Sequence, residues 1–175
     1  MFLAVRELKK EKTRFILVVL VIFLVSYLVF FLTSLAYGLA TSYTKGIDAW
    51  KATGIALEAD ADQNISRSLL SKNQYESYFN PDTMELLGVS SGVADIQAKS
   101  TNVTFFGVDT GRRLMPYVKE GKSIKHNNEV IISSALKDGD LNINDYIKFK
   151  SSDQQYKIVG IAGDMTFQTQ PVVYM

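Results

Sequence analysis

The sequence predicts a membrane-anchored α+β chain, with one N-terminal transmembrane helix followed by a β-rich extracytoplasmic domain. Three observations predict it. The run Phe15 to Leu39, FILVVLVIFLVSYLVFFLTSLAYGL, holds no charged residue. The segment before it is basic, with Arg6, Lys9, Lys10, Lys12 and Arg14 set against only Glu7 and Glu11. Beyond Gly88, short stretches rich in β-branched and aromatic residues recur between turn signals, which is the pattern of short strands.

Residues 1–14 form a basic head. Phe2, Val5 and Leu8 fall at helical spacing, so the head is expected as a short amphipathic helix lying on the cytoplasmic leaflet. The same positive charge fixes topology, placing the N-terminus inside and the chain beyond the helix outside. Residues 15–39 are the spanning segment. At about 1.5 Å per residue they reach roughly 37 Å, enough to cross a hydrocarbon core of about 30 Å with some tilt. Gly38-Leu39-Ala40 is a small-x-small triplet that a signal peptidase could cut. A signal h-region is shorter, about 7–15 residues, so an uncleaved anchor is the expectation.

Residues 40–53 are predicted to carry the helix out of the membrane as a stalk, weakened by Gly46 and ended by Gly54. Tyr37, Tyr43 and then Trp50 read as an aromatic belt at the outer interface. Residues 54–175 form the outer domain. Ile55-Ala56-Leu57 reads as a first strand, with Asp60, Asp62 and Asn64 marking a turn. Two short helical turns are expected between Ser71 and Leu87, broken before Pro81. Strands are expected at Val93–Ala98, Val103–Val108 and Val130–Ile132. Ser133 is placed to cap a helical turn, Ser134–Lys137. Leu141–Asp145 is a turn before the alternating strand Tyr146–Lys150; Ser151–Gln154 makes a hairpin turn into Tyr156–Ala162, and Val172–Tyr174 is a last strand.

Composition narrows the chemistry. With no cysteine, disulfides, zinc-thiolate sites and cysteine nucleophiles are excluded. A net charge of +1 with no basic stripe argues against a nucleic-acid partner. The single histidine, His126, sits in the hydrophilic context Lys125-His126-Asn127-Asn128 and reads as solvated. No phosphate-binding glycine loop and no Gly-x-Ser-x-Gly elbow are present. Asp60, Asp62 and Asn64 suggest a calcium loop only in part, since the rest of that pattern is missing. Asn64-Ile65-Ser66 and Asn102-Val103-Thr104 match the glycosylation tripeptide, a frequent chance match. No catalytic constellation and no metal site stand out, and an enzyme is the weakest reading.

Two stretches carry a family resemblance. One is the head, Leu3-Ala4-Val5-Arg6-Glu7-Leu8 through Lys12-Thr13-Arg14-Phe15. The other is the ordered set Asn128-Glu129-Val130-Ile131-Ile132-Ser133-Ser134-Ala135-Leu136, Leu141-Asn142-Ile143-Asn144-Asp145-Tyr146-Ile147 and Tyr156-Lys157-Ile158-Val159-Gly160-Ile161. Together they resemble the opening and the core signature of type VII ABC transporter permeases, the MacB/FtsX group. Asn144-Asp145 stands where that group usually has Gly-Asp, and asparagine tolerates the left-handed turn. The helix exit, Phe31 to Ala40, is most similar to the haem-export permeases of the group.

The resemblance implies a MacB-like periplasmic core for 54–175 and transport without catalysis in this chain. Its expected partners are a separate cytoplasmic ABC ATPase, a second permease copy and the lipid bilayer of the plasma membrane. Arg6, Lys9, Lys10, Lys12 and Arg14 would lie near the ATPase coupling region, and the helix would act as a lever. The group carries three further membrane helices after the outer domain, so the chain reads as the N-terminal part of a permease with an incomplete outer domain. The implied cargo is an amphipathic toxic compound, haem first; no resident cofactor is expected. Haem iron accepts tyrosinate, histidine or methionine. Tyr43 is then the first candidate ligand, with Phe31, Tyr37 and Tyr174 as further candidates, each alternatively an interfacial anchor. Export of antimicrobial peptides or lipoproteins, and a single-pass binding or regulatory module, stand as the alternative readings.

Overall fold

The apolar run forms one uninterrupted helix, α1, Lys12–Asp48. In a hydrocarbon medium each backbone polar group must find its partner within the segment, which a helix achieves even for a Val- and Ile-rich run. The described residues of this computed structural model are 11–96, 99–137, 141–150 and 154–175. The predicted head helix, with Arg6, Lys9 and Lys10, lies outside them, as do the tip of the 151–153 turn and the predicted strand end Gln97–Ala98. The chain divides into two compact units, Met1–Thr41 and Ser42–Met175.

In the first unit, the large apolar side chains from Phe15 to Leu39 are exposed. The helix is long and apolar enough to cross a membrane. Its hydroxyls are satisfied locally, with Thr33 Oγ1 donating to Val29 O at 2.8 Å and Thr41 Oγ1 to Tyr37 O.

In the second unit the helix stops earlier than predicted. It ends at Asp48, not near Thr53, and Lys51 takes the left-handed φ of 50° just beyond it. The reason is packing: Trp50 is buried, so the chain must turn there to seat the indole. Trp50 is therefore a core residue and not part of an interfacial belt. Residues 53–86 are mostly irregular, with 3₁₀ turns Ala59–Ala61 and Ile65–Arg67 and one short helix, α2, Lys72–Tyr75. Ser71 and Gln74 close a capping box on α2. Ile55-Ala56-Leu57 is not a strand, because no neighbouring strand offers it a ladder.

The sheet is built from β1 Leu87–Ile96, β2 Lys99–Val108, β3 Val118–Gly121, β4 Glu129–Ile132, β5 Tyr146–Phe149, β6 Gln155–Ala162, β7 Thr166–Phe167 and β8 Gln170–Tyr174. The hydrogen-bonded path runs β2-β1-β5-β6-β4-β8 and closes, because β8 also pairs with β2. The β4–β6 and β2–β8 pairs are parallel and the other pairs of this ring are antiparallel. β3 lies along β6, and β7 pairs only with β8. Closure removes the long open edges that would otherwise recruit another strand.

β4 and β8 bury both faces. Val130 and Ile132 enter one core with Phe105, Ile147, Ile158 and Val173, while Ile131 enters a second with Trp50, Phe106, Phe167, Val172 and Tyr174. Strands buried on both sides read as unbroken apolar runs, as Val130-Ile131-Ile132 and Val172-Val173-Tyr174 do. Asn144 takes φ 80°, the left-handed geometry expected of it. Ser133 caps its turn as predicted, its hydroxyl accepting from Ala135 N at 3.2 Å and also from Met165 N at 2.9 Å.

Candidate functional site

The candidates fall in different places. Phe31 and Tyr37 lie in the first unit and are exposed; Phe31 stacks on Tyr27, one helical turn away, with ring centroids 6.1 Å apart. In the second unit, Tyr43 is exposed. Tyr174 is different. Its side chain is fully buried in the second core, 5.6 Å from the ring of Phe106. Burial pushes the phenol pKa far up, and the nearby Trp50 indole offsets this only in part. A neutral, enclosed phenol cannot meet an arriving ligand in this conformation, which corrects the placement of Tyr174 at an accessible boundary. Two candidates belong to each unit, Phe31 and Tyr37 to the first and Tyr43 and Tyr174 to the second.

What the second unit does bring together, unforeseen, is the helix end and the β7–β8 hairpin. Thr166 Oγ1 donates to Ser42 O at 2.7 Å, and Gln168 N donates to Tyr43 O at 3.3 Å. Lys45 Nζ meets Asp164 Oδ2 at 2.5 Å. Between these polar contacts Gly46 is buried: a Cβ there would lie 3.2 Å from Phe106 Cε2 and 3.2 Å from Thr166 O. Its glycine, which looked like a helix weakness, is the residue that lets the helix approach the sheet. Trp50 completes the contact, its ring 5.1 Å from Phe106. Trp50 Nε1 and Tyr174 Oη are buried there without hydrogen-bond partners.

Two further clusters are structural. The Glu85 carboxylate accepts from Arg113 N at 3.1 Å, Arg113 Nε at 3.3 Å and Leu114 N at 3.0 Å. Burial alone would raise its pKa, but the Leu114 and Arg113 N–H groups and the guanidinium prevail and hold it below the ordinary value. Glu129 accepts from Lys125 N at 2.7 Å and His126 N at 3.1 Å, and His126 Nδ1 lies 3.1 Å from its other oxygen. These contacts lower the Glu129 pKa, the Lys125 N–H first. His126 is otherwise exposed. Asp62 pairs with Arg67 at 3.8 Å and Asn64 caps Ser66, so both have local partners. Among the described residues no three His, Cys, Asp or Glu side chains gather as a metal group would need. Of the basic residues expected near an ATPase, Lys12 and Arg14 are described, and Arg14 pairs with Glu11 at 3.1 Å.

No family model matches the sequence. Curated relatives do. A Staphylococcus epidermidis protein with the provisional name hemin transport system permease protein HrtB is 27% identical over all of this chain, covering 49% of its own length. Its Staphylococcus haemolyticus counterpart, named alike, is 26% identical over all of this chain and likewise 49% of its own. The chain thus spans about half the length of the curated relatives it matches, and it is similar to permeases of the kind its motifs resemble. Among solved structures, the extracellular domain of the noncanonic ABC-type transporter YknZ from Gram-positive bacteria gives a TM-score of 0.41 at 17% identity, covering 51% of this chain and 51% of that one. The periplasmic region of MacB from Actinobacillus actinomycetemcomitans gives 0.40 at 15%, covering 51% and 45%.

Proposed function

We propose that this chain is a permease portion of an ABC exporter, crossing the plasma membrane once through α1 with its N-terminus in the cytoplasm and its β domain outside. One observation carries the reading: similarity over the full chain to permeases named for hemin transport. The charge asymmetry around Phe15–Leu39 supports the orientation. A separate ATPase supplies the energy and a second permease copy completes the exporter. The chain itself contributes a membrane helix whose last turns belong to the β-domain unit.

Haem is the proposed cargo. As an amphipathic planar molecule it partitions into lipid, so exposed aromatics along α1 are the side chains it would meet first. Tyr43 leads, with Tyr37 and Phe31 each a further candidate on its own; Tyr174 drops out because it is enclosed. The test is haem sensitivity of a deletion strain carrying the intact permease gene and its ATPase partner. Tyr43→Ala is expected to lower the tolerated haem concentration several-fold with unchanged membrane abundance, the loss of one ligand contact. Wild-type tolerance in that variant would remove Tyr43 from the cargo path. A deletion strain sensitive to bacitracin-like peptides but indifferent to haem would replace haem as the cargo.

A further inference from the structure

We infer that the β7–β8 hairpin and the helix end Ser42–Trp50 form one latch, in which the hairpin turn keeps its left-handed geometry only while the helix end is seated. The turn is poorly suited to its sequence. Its two loop residues, Gln168 and Thr169, sit at φ 49° and 66° between the paired residues Phe167 and Gln170. Two-residue turns of this hand favour Asn-Gly, and a β-branched residue at positive φ is an outlier. The ladder that should hold the turn is thin. β7 has two residues, and its first pairs with Pro171, which has no N–H to give.

The missing stabilisation comes from the helix. The strained turn presents the Gln168 N–H to Tyr43 O, β7 supplies the Thr166 hydroxyl to Ser42 O, and Asp164 at the hairpin base binds Lys45. Phe167 packs on Phe106, with centroids 5.6 Å apart, and Trp50 packs on the same ring. The dependence is mutual: the helix end turns at Trp50 to fill a core that Phe167 helps to line, and a Cβ at Gly46 would meet Phe106, the hairpin's Thr166 O and Val172. β8 is held in the ring by β2 and β4, and Met165 N by the Ser133 hydroxyl, so what opens with the helix end is β7 and its turn, which among the described residues have no strand other than β8 beside them. This does not rest on transport or on haem.

Amide hydrogen exchange of the full chain in detergent micelles or nanodiscs tests it. Gly46→Leu forces a side chain against Phe106 and Thr166. Peptides covering both 42–50 and 164–170 are expected to exchange at least about tenfold faster, with β1–β2 peptides unchanged. Should that variant not fold, Thr166→Val with Lys45→Met removes two polar contacts and should raise exchange in both peptides together. The chain has no cysteine, so Tyr43→Cys with Gln168→Cys makes a single disulfide on oxidation; it should slow exchange in both. Loss or gain of protection confined to one of the two segments, in any of these variants, would overturn the latch.

Discussion

Glu85 shows how one carboxylate can hold two distant loops. Its side chain is 10% exposed, and its oxygens collect two backbone N–H groups and a guanidinium from Arg113 and Leu114. Arg112 Nη1 also donates to Pro81 O at 2.8 Å, tying the same two segments. Because these bonds need the ionised form, the folded pKa lies below the ordinary 4.5. The stabilisation is therefore complete above about pH 4.5 and is lost as pH falls through the lower folded value. Glu85→Gln is expected to cost about 1–2 kcal/mol at pH 7 and to flatten the acid limb of the stability curve, as read by denaturant unfolding at several pH values. Tyr174 gives the opposite case. Its hydroxyl is buried with no partner, so Tyr174→Phe should leave stability unchanged or raise it by up to about 1 kcal/mol. A clear loss would mean that the hydroxyl is bonded to Trp50. Neither environment is legible in sequence, because each depends on residues far along the chain.

At the scale of elements, legibility followed burial. Strands enclosed on both faces announced themselves as apolar runs, and β4, β6 and β8 were placed close to their observed bounds. β3, Val118–Gly121, reads Val-Lys-Glu-Gly and is exposed along most of its length; β7 has two residues. Such strands exist only because the ends of β6 and β8 run past their ring partners and leave a few residues to pair with, and no local pattern encodes that. Ile55–Leu57 failed for the converse reason, an apolar triplet with no edge to join. The second core depends on Phe106, which is fully buried between Trp50, Phe167 and Tyr174. Phe106→Ala is expected to destabilise by about 3–5 kcal/mol through lost burial and the cavity left behind. Trp50 is the only tryptophan, so its fluorescence reports this core without interference. An unfolding midpoint like the wild type's would show that the cluster contributes little.

For the whole molecule, the two units obey different physics. Among its described residues the first is a long apolar helix with no buried large side chain from Phe15 to Leu39, the kind of segment that lipid can surround. The second is a closed mixed sheet held by two apolar cores and no disulfide. The proposed topology is testable with single cysteines in this cysteine-free chain. Tyr78→Cys, at an exposed site in the second unit, should react with a membrane-impermeant maleimide in intact cells. Thr13→Cys should react only after permeabilisation. The reverse pattern would invert the orientation and with it the proposed direction of export.

The order of residues alone was enough for the membrane helix, the β class of the domain and the family likeness. Those depend on composition and local period, which each short window carries whole. Only the folded packing settled where the helix ends, why Gly46 stands inside it, and that Tyr174 is sealed while Tyr43 is open. Those outcomes arise where residues more than a hundred positions apart compete for the same space, and no window of the chain contains both competitors.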